Sequence, residues 1–447
     1  MNWRDSAELD TDQEIVECLW QTLGRAVGYG ENASGGYDPD GNSKLTVISK
    51  SGSTSVEQQI VDAINGDAHN WIVFDKFDFA EESEVALYRN YCDAASVQNA
   101  IGGTEAQCLD YRQWCETNGY TAESACLAEF FNKRLNDGNL PIRNPLIGSN
   151  KTIDGRLSKA YFRFSGFAIG TDSNGSDNVV LTHLDFRGAG HTEDHGLDPD
   201  MIRATSGSQD LWIHKNTFEF TGDSAFDIKR GAHHVTMSFN RLLDVKRASL
   251  HGSSDDRAEN ANIRTTMHHN AFVTRDALYD TFGSGGRRVP LIRRGSSHMF
   301  NNLFMNYRRE LLSLRVGASV LWQDNMLLVN KGIGTDSLDY LQANLVTDID
   351  GGNFRVEGTR IWLADAACNL DAADFRDLTA ASGAVADLPA DYSQDSRDTI
   401  TAQKIAAGQA LADYISATAG TGGEMPFNSP LANDQDYVLG LGKVACQ

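Results

Sequence analysis

The chain has 447 residues, of which 41% are hydrophobic and 9% aromatic, and it carries a formal charge of -22 with a pI near 4.8. Such a composition belongs to a globular chain rather than a disordered one, and its acidity excludes nucleic acid as a partner, because phosphates call for a basic face. No run of about 18 apolar residues appears, and the opening MNWRDSAELD lacks a basic stretch followed by an apolar core, so neither a membrane span nor a retained export signal is expected.

In chain order, the first element is a helix. DTDQEIVECLWQTLGRA starts acidic at Asp10 and places Ile15, Cys18, Leu19 and Leu23 on one side, so it is expected to cap the open end of a larger sheet structure. Residues 76–142 lack the repeat that marks the middle of the chain. They mix helix formers with Cys92, Cys108, Cys115 and Cys126, and read as an inserted helical excursion stapled by one or two disulfides, with reduced buried thiols as the alternative. The remaining cysteines are Cys18, Cys368 and Cys446, and the seven contain no CxxC pair, which argues against zinc.

Six segments then share a form: NVVLTHLDF, DLWIHKNTF, HHVTMSFNRLL, NIRTTMHHNAF, SSHMFNNLF and SVLWQDNMLL. Each is a short β-prone run with alternating apolar positions. Aligned on Leu184, Asn216, Asn240, Asn270, Asn302 and Asn325, they recur at intervals of 32, 24, 30, 32 and 23 residues. A recurrence of this size marks a solenoid. The expected fold is all-β, a right-handed parallel β-helix in which the asparagines stack at one corner and loops of unequal length leave one face. From about residue 370 the chain turns rich in Ala, Asp and Ser, and TITAQKIAAGQALADYISATAG reads as one helix in a tail (370–447) packed on the solenoid. The whole of 1–447 is expected to form a single domain.

Chemistry concentrates in the middle. Between Ala225 and Val316 there are fifteen Lys plus Arg against eight Asp plus Glu, a local excess of positive charge in an acidic protein, which suggests a specific anionic ligand. HGLDPDMIR and GDSAFDIKRG supply Asp198, Asp200, Asp223 and Asp227, hard oxygen donors suited to calcium. Asp200 and Asp223 are 23 residues apart, about one coil, so stacking brings them together; a role as solvated loop residues stays open for each taken alone. DVKRASLHGSSDD adds Lys246 and Arg247, and RRVPLIRRG adds Arg288 and Arg293 on either side of Pro290. In a plain strand these two arginines would face opposite ways, so a turn at the proline is expected if both serve one site. DPDGN at Asp38 reads as a tight turn rather than a calcium loop, and His268 and His269 as packed histidines.

Taken in order, DSAFDIKRGAHHVTMSFN, KRASLHGSSDD, TMHHNAF and RVPLIRRGSSHMFNN resemble the central stretch of the calcium-dependent pectate lyases of the first polysaccharide lyase family. GSNKTIDG, DLWIHKN and VGYGENASGG are similar to that family's earlier motifs. The resemblance implies calcium ligands at Asp200, Asp223 and Asp227, with Asp198 as a further candidate, and substrate contacts at Lys229, Arg293 and, with Lys246 beside it, Arg247. It implies Arg288 as the catalytic base of a β-elimination on polygalacturonate or a related acidic polysaccharide, by a secreted, monomeric enzyme. Two features depart from the family. Arg247 stands where a lysine is usual, and TRDALYDTFGSGG is longer than in typical members. Pectin lyase or another uronan lyase, a polygalacturonase, and a non-catalytic β-helix binding acidic glycans are the competing readings.

Overall fold

The computed structural model describes residue 3 and residues 8–424, apart from 165, 193–196, 280–285, 331–336, 365–369, 380–387 and 389–390. Among the described residues the strands form three sheets, of ten, eight and ten strands, in which each strand pairs in parallel with its counterpart one coil away; only the last pair is antiparallel. The chain winds as a right-handed parallel β-helix. No described helix is long and apolar enough to cross a membrane.

The six repeated segments each turn the same corner. His214 ends one strand, Lys215 takes a left-handed conformation (φ 50°), Asn216 follows, and Thr217–Glu219 begins the next sheet. His183, Phe239, His269, Asn301 and Asp324 repeat the left-handed step. Behind it the asparagines form a buried ladder. The Asn240 side-chain oxygen accepts from the Asn216 backbone N–H (3.0 Å), and the Asn270 oxygen accepts from that of Asn240 (2.9 Å). Each amide also donates to a strand carbonyl, as Asn270 does to Met237 (2.9 Å). The sequence needs an amide here because the corner leaves backbone groups that no sheet can pair. Leu184 opens the ladder and Thr359 closes it on Asn325.

Inside the coils, residues one coil apart stack on like residues: Phe162, Phe186 and Phe218 lie face to face at 5.6 and 5.0 Å. His268 and His269 are buried on the outer side of the first ten-stranded sheet, hydrogen-bonded to each other and stacked on Phe300 and Phe239, and burial pushes the His269 imidazole down to about 3. They are packing residues.

The ends depart from expectation in two places. The helix Asp12–Leu23 forms, with Thr11 and Glu14 in a reciprocal cap, but it lies on the outer face of the first ten-stranded sheet against Trp71, Val73 and Trp212. The interior is instead plugged by the helix Val56–Ile64, whose Ile60 and Ile64 join the core. The expected tail helix is two helices, Gln394–Gln403 and Gln409–Thr418. The break has a cause: the Asn301 side chain donates to the Ile405 carbonyl (2.6 Å) and accepts from its N–H (2.8 Å), taking both groups a continuous helix would use. The rest of the tail, 425–447, lies outside the described residues, as do Cys368 and Cys446.

The excursion is helical and stapled twice, by Cys92–Cys108 and Cys115–Cys126. It has its own core around Trp114, Phe130 and Phe131, packed against Phe164 and Leu197 of the solenoid. Within the expected span, Ser83–Val85 belongs to the solenoid, paired with Ala160–Arg163. Asp38 closes a tight turn, accepting from Asp40 N–H (2.9 Å) and the Asn42 amide (3.0 Å).

The ladder predicts its own energetics. Asn270→Ala leaves the Asn240 N–H, the Asn240 amide and the Met237 carbonyl buried without their partner, at a cost of about 2–4 kcal/mol. Urea unfolding should show a lowered midpoint with an unchanged slope.

Candidate active site

The eight-stranded sheet carries the site. Its strands run in the order Leu146–Ile147, Phe167–Ile169, Ile202–Ala204, Phe226–Ile228, Leu250–His251, Leu291–Arg293, Ser313–Arg315 and Asp348–Asp350. The connections that enter these strands, among them 188–201, 220–225, 244–249 and 286–290, hold Asp198, Asp200, Asp223, Lys246, Arg247 and Arg288, while Arg203, Asp227 and Arg293 lie on the strands themselves. Consecutive connections are clamped in register, Ser224 bridging to Arg247 and Arg247 to Arg287.

Asp198, Asp200 and Asp223 meet, with carboxylate oxygens all within 4.8 Å of one another. Asp200 is buried and its oxygen accepts from the Ser224 N–H (3.2 Å). Asp198 is the exposed member, held in a left-handed turn (φ 47°). Asp227 lies outside this trio, on the neighbouring strand, where it accepts from the Leu250 N–H (2.9 Å) and pairs with Lys229 (2.9 Å). Lys229 ties the four together, its ammonium also 2.7 Å from Asp200 and 3.4 Å from Asp198. Arg247 is buried and pairs with Asp223 at 3.1 Å.

Four carboxylates against these two cations leave a net charge of about -2 in a poorly solvated place. The consequence shows in the proton affinities. Burial and the charge of Asp227 push the Asp200 carboxyl well above its usual range. Burial, a hydrogen bond with Asp198 and the charge of Asp227 push Asp223 up to about 7. Burial opposes ionisation of Asp198 most strongly, but the charge and hydrogen bond of Lys229, a hydrogen bond with Asp223 and the charge of Arg89 together outweigh it and hold that carboxyl low. Burial works against the Lys229 charge, and Asp227, Asp200 and Asp198 more than reverse it. Crowding of this kind is relieved by a divalent cation, and a donor set made only of oxygen suits a hard one. The residues present therefore fit a calcium site.

Val289–Pro290 is a cis bond, and Arg288 has a left-handed backbone (φ 60°) ahead of the strand Leu291–Arg293. Its guanidinium makes no hydrogen bond or ion pair among the described residues. Burial and then Arg247 lower its proton affinity, opposed by Asp223 and Asp227, with Arg287 again lowering it. Arg288 thus shares one electrostatic field with the acid cluster. Arg293 pairs with Asp255 (2.6 Å) and donates to the Gly252 carbonyl (2.7 Å). Partial burial, and then the charges of Arg287 and Arg247, lower the proton affinity of Lys246. Residues 280–285, most of the long segment before Arg288, lie outside the described residues.

Sequence reasoning missed Arg89 and Arg203. Arg89 is buried and donates to the Asp200 carbonyl, and burial pulls its guanidinium down to about 10. Arg203 pairs in register with Asp227. Neither lies in a repeated motif; the only available signal was the placement of Arg203 three residues after Asp200.

Coiled parallel sheets with three clustered carboxylates and arginines on neighbouring connections make a solenoid whose acidic group could hold a metal ion. A family model described as pectate lyase matches residues 139–422. The chain belongs to the pectate lyase family. A pectate trisaccharide-lyase of Bacillus licheniformis is 28% identical over 185 residues, 40% of this chain and 48% of that protein. Pectate lyase B of Dickeya chrysanthemi is 31% identical over 164 residues, 34% of this chain and 39% of its own. The chain thus spans about half the length, or less, of these curated relatives. Among solved structures, a Bacillus subtilis pectate lyase matches with a TM-score of 0.52 at 18% identity, over 90% of this chain and 98% of that one. A pectate lyase from a Bacillus species in complex with trigalacturonate matches with 0.51 at 17%, over 89% and 99%. These two share the fold.

The crowding gives a direct test. Addition of calcium at about a hundred times its dissociation constant should stabilise the protein by about 2.7 kcal/mol, read as a rise in the unfolding midpoint. In Asp223→Asn that rise should be largely lost while the secondary structure by circular dichroism is unchanged.

Proposed function

We propose that the protein is a pectate lyase that cleaves α-1,4-polygalacturonate by calcium-assisted β-elimination, with Arg288 as base and 4,5-unsaturated oligogalacturonides as products. The observation that carries this reading is the position of Arg288, without a hydrogen bond or ion pair among the described residues and within the field of Asp223 and Asp227. The names of the relatives and the trigalacturonate in a neighbour of the same fold support an acidic galacturonan as substrate.

The difficulty of the reaction lies in the C5 proton, which is α to a carboxylate whose charge opposes its removal. Calcium, when bound, would neutralise that carboxylate and favour charge spreading onto it. Asp198, Asp200 and Asp223 would hold the ion, and Asp227 would complete its oxygen donors. Arg288 accepts the C5 proton, and the electron pair left behind forms the C4–C5 double bond as the O4 bond breaks. Lys229 and Arg293 would meet substrate carboxylate and hydroxyl groups, and Lys246 lies close enough to Arg287 to join them. Arg247 acts at one remove: buried against Asp223, it positions a ligand rather than touching sugar. Arginine is an unusual base because it normally stays protonated. Here burial and the two neighbouring arginines favour its neutral form.

The two local disulfides suit an oxidising compartment, so the reading includes a secreted enzyme. It also takes the chain from 1 to 447 as one catalytic domain acting as a monomer.

The assay is polygalacturonate with and without calcium, followed by the ultraviolet absorbance of an unsaturated uronate. Absorbance should rise only with calcium. Arg288→Ala should lower the rate by about 10²–10⁴-fold. Reducing ends that appear without absorbance would instead mean hydrolysis. The base must be neutral to work, so the rate should climb with pH on the alkaline side. Arg287→Ala removes a cation that favours the neutral form, and should move that rising limb to higher pH. A profile that peaks near pH 5 would contradict the arginine base.

A further inference from the structure

The connection that carries Asp198 and Asp200 is held from two sides. On the solenoid side, the Met201 N–H donates to the Ser224 carbonyl of the next coil (3.0 Å), and the Thr192 N–H donates to the Gly222 carbonyl (2.8 Å). The other side belongs to the excursion. The Asn132 amide donates to the Ala189 and Gly190 carbonyls (2.5 and 3.3 Å). Leu197, the residue before Asp198, is buried in the excursion's own core. Arg89 donates from its guanidinium group to the Asp200 carbonyl. Within the turn, the Asp200 N–H donates to the Asp198 carbonyl (2.9 Å), so a grip on Asp200 bears on both acids.

Arg89 is presented from a fixed place. Tyr88 beside it donates to Glu84 (2.5 Å), which lies on the solenoid strand Ser83–Val85, and the Tyr88 ring packs on Phe131. The Arg89 carbonyl accepts from the Arg143 N–H, Asn90 bridges to Ile142, and Cys92 is tied to Cys108. Arg89 is 7% exposed, and among the described residues its guanidinium group meets the Asp200 carbonyl and pairs with no carboxylate. A buried cation that meets only a carbonyl is a costly way to fasten one segment to another, since an apolar side chain of like volume would do it for less. The cost is accounted for if the bond serves the two acids rather than the packing.

We propose that Arg89 is a positioning residue of the metal cluster, through which the stapled excursion sets the turn that carries Asp198 and Asp200 and, with it, the affinity for calcium. The inference rests on the calcium reading of that cluster. Two effects of the guanidinium group oppose each other there. Its charge is attracted to Asp200 and Asp198 and so competes with a divalent cation for them. Its hydrogen bond holds the turn in the shape that lets both carboxylates meet one ion. Groups that orient the ligands of a metal carry about 10–100-fold in affinity, so the second effect wins. The sign of the change on removing Arg89 therefore separates positioning from charge.

The test titrates the full chain with calcium chloride by calorimetry, well below its unfolding midpoint. Arg89→Met keeps the length and the burial but neither the charge nor the donor, and should raise the calcium dissociation constant by about tenfold or more. Arg89→Lys keeps a charged donor and should stay within about threefold of the unsubstituted chain. Asn132→Ala, which releases the same connection at its other end, should weaken calcium by about threefold. A role in stability alone would lower the calcium-free unfolding midpoint of Arg89→Met and leave its dissociation constant unchanged. Unchanged or tighter calcium binding by Arg89→Met would overturn the proposal and leave the calcium site standing, as would a lysine variant as weak as the methionine one. An unsubstituted chain that binds no calcium would overturn both.

Discussion

Every coil of this protein has to come back to within one strand spacing of the coil before it. That single requirement places residues 23 to 32 positions apart in contact, and the site exists because of it. Asp200 and Asp223 are one coil apart, and Arg203 lies directly beside Asp227. The asparagine ladder enforces the return, since each amide oxygen reaches the backbone of its neighbour only when the coils are in register. A slip by one residue would break the ladder and turn Asp227 and Arg203 toward the core.

Register also explains why the charged residues sit where they do. Strand interiors are filled by like-on-like apolar stacks, which leave no room for variation. The connections entering the eight-stranded sheet are free to vary in length, and they add Asp198, Asp200, Asp223 and Arg288 to the Arg203, Asp227 and Arg293 that the strands carry. The cluster then concentrates like charge to a degree that water would ordinarily dissipate. Lys229 and Arg247 answer part of it from within the fold. The remainder is a demand for a cation, which couples ligand binding to the stability of the coils that carry it.

Much of this was legible in the chain because the fold repeats. Asn216, Asn240, Asn270, Asn302 and Asn325 mark the coils, and their spacing alone fixes which loops lie side by side. The meeting of Asp200 with Asp223 followed from the same spacing. What could not be read depends on contacts made once, not per coil. Nothing near Ile405 announces that a distant amide, that of Asn301, will interrupt its helix. The first helix is amphipathic whether it covers an end or a side, and only the apolar outer positions Trp71, Val73 and Trp212 decide for the side. Arg89 comes from an excursion with no repeat, so its approach to Asp200 has no counterpart in the pattern.

The glycine-rich segment near the start is laid across the coils it precedes. Gly36, Gly30 and Tyr29 present their N–H groups to Thr152, Thr236 and Thr266, hydroxyls on three different coils. A side chain at Gly30 would place its first carbon 2.6 Å from the Thr236 nitrogen, so only a bare backbone lies this flat. Solenoids whose repeats touch only their neighbours can fray from either end, one turn after another. A strap knotted to several turns removes that freedom: loosening any one of them loosens the strap for all, and the coil gives way as a unit or holds as one.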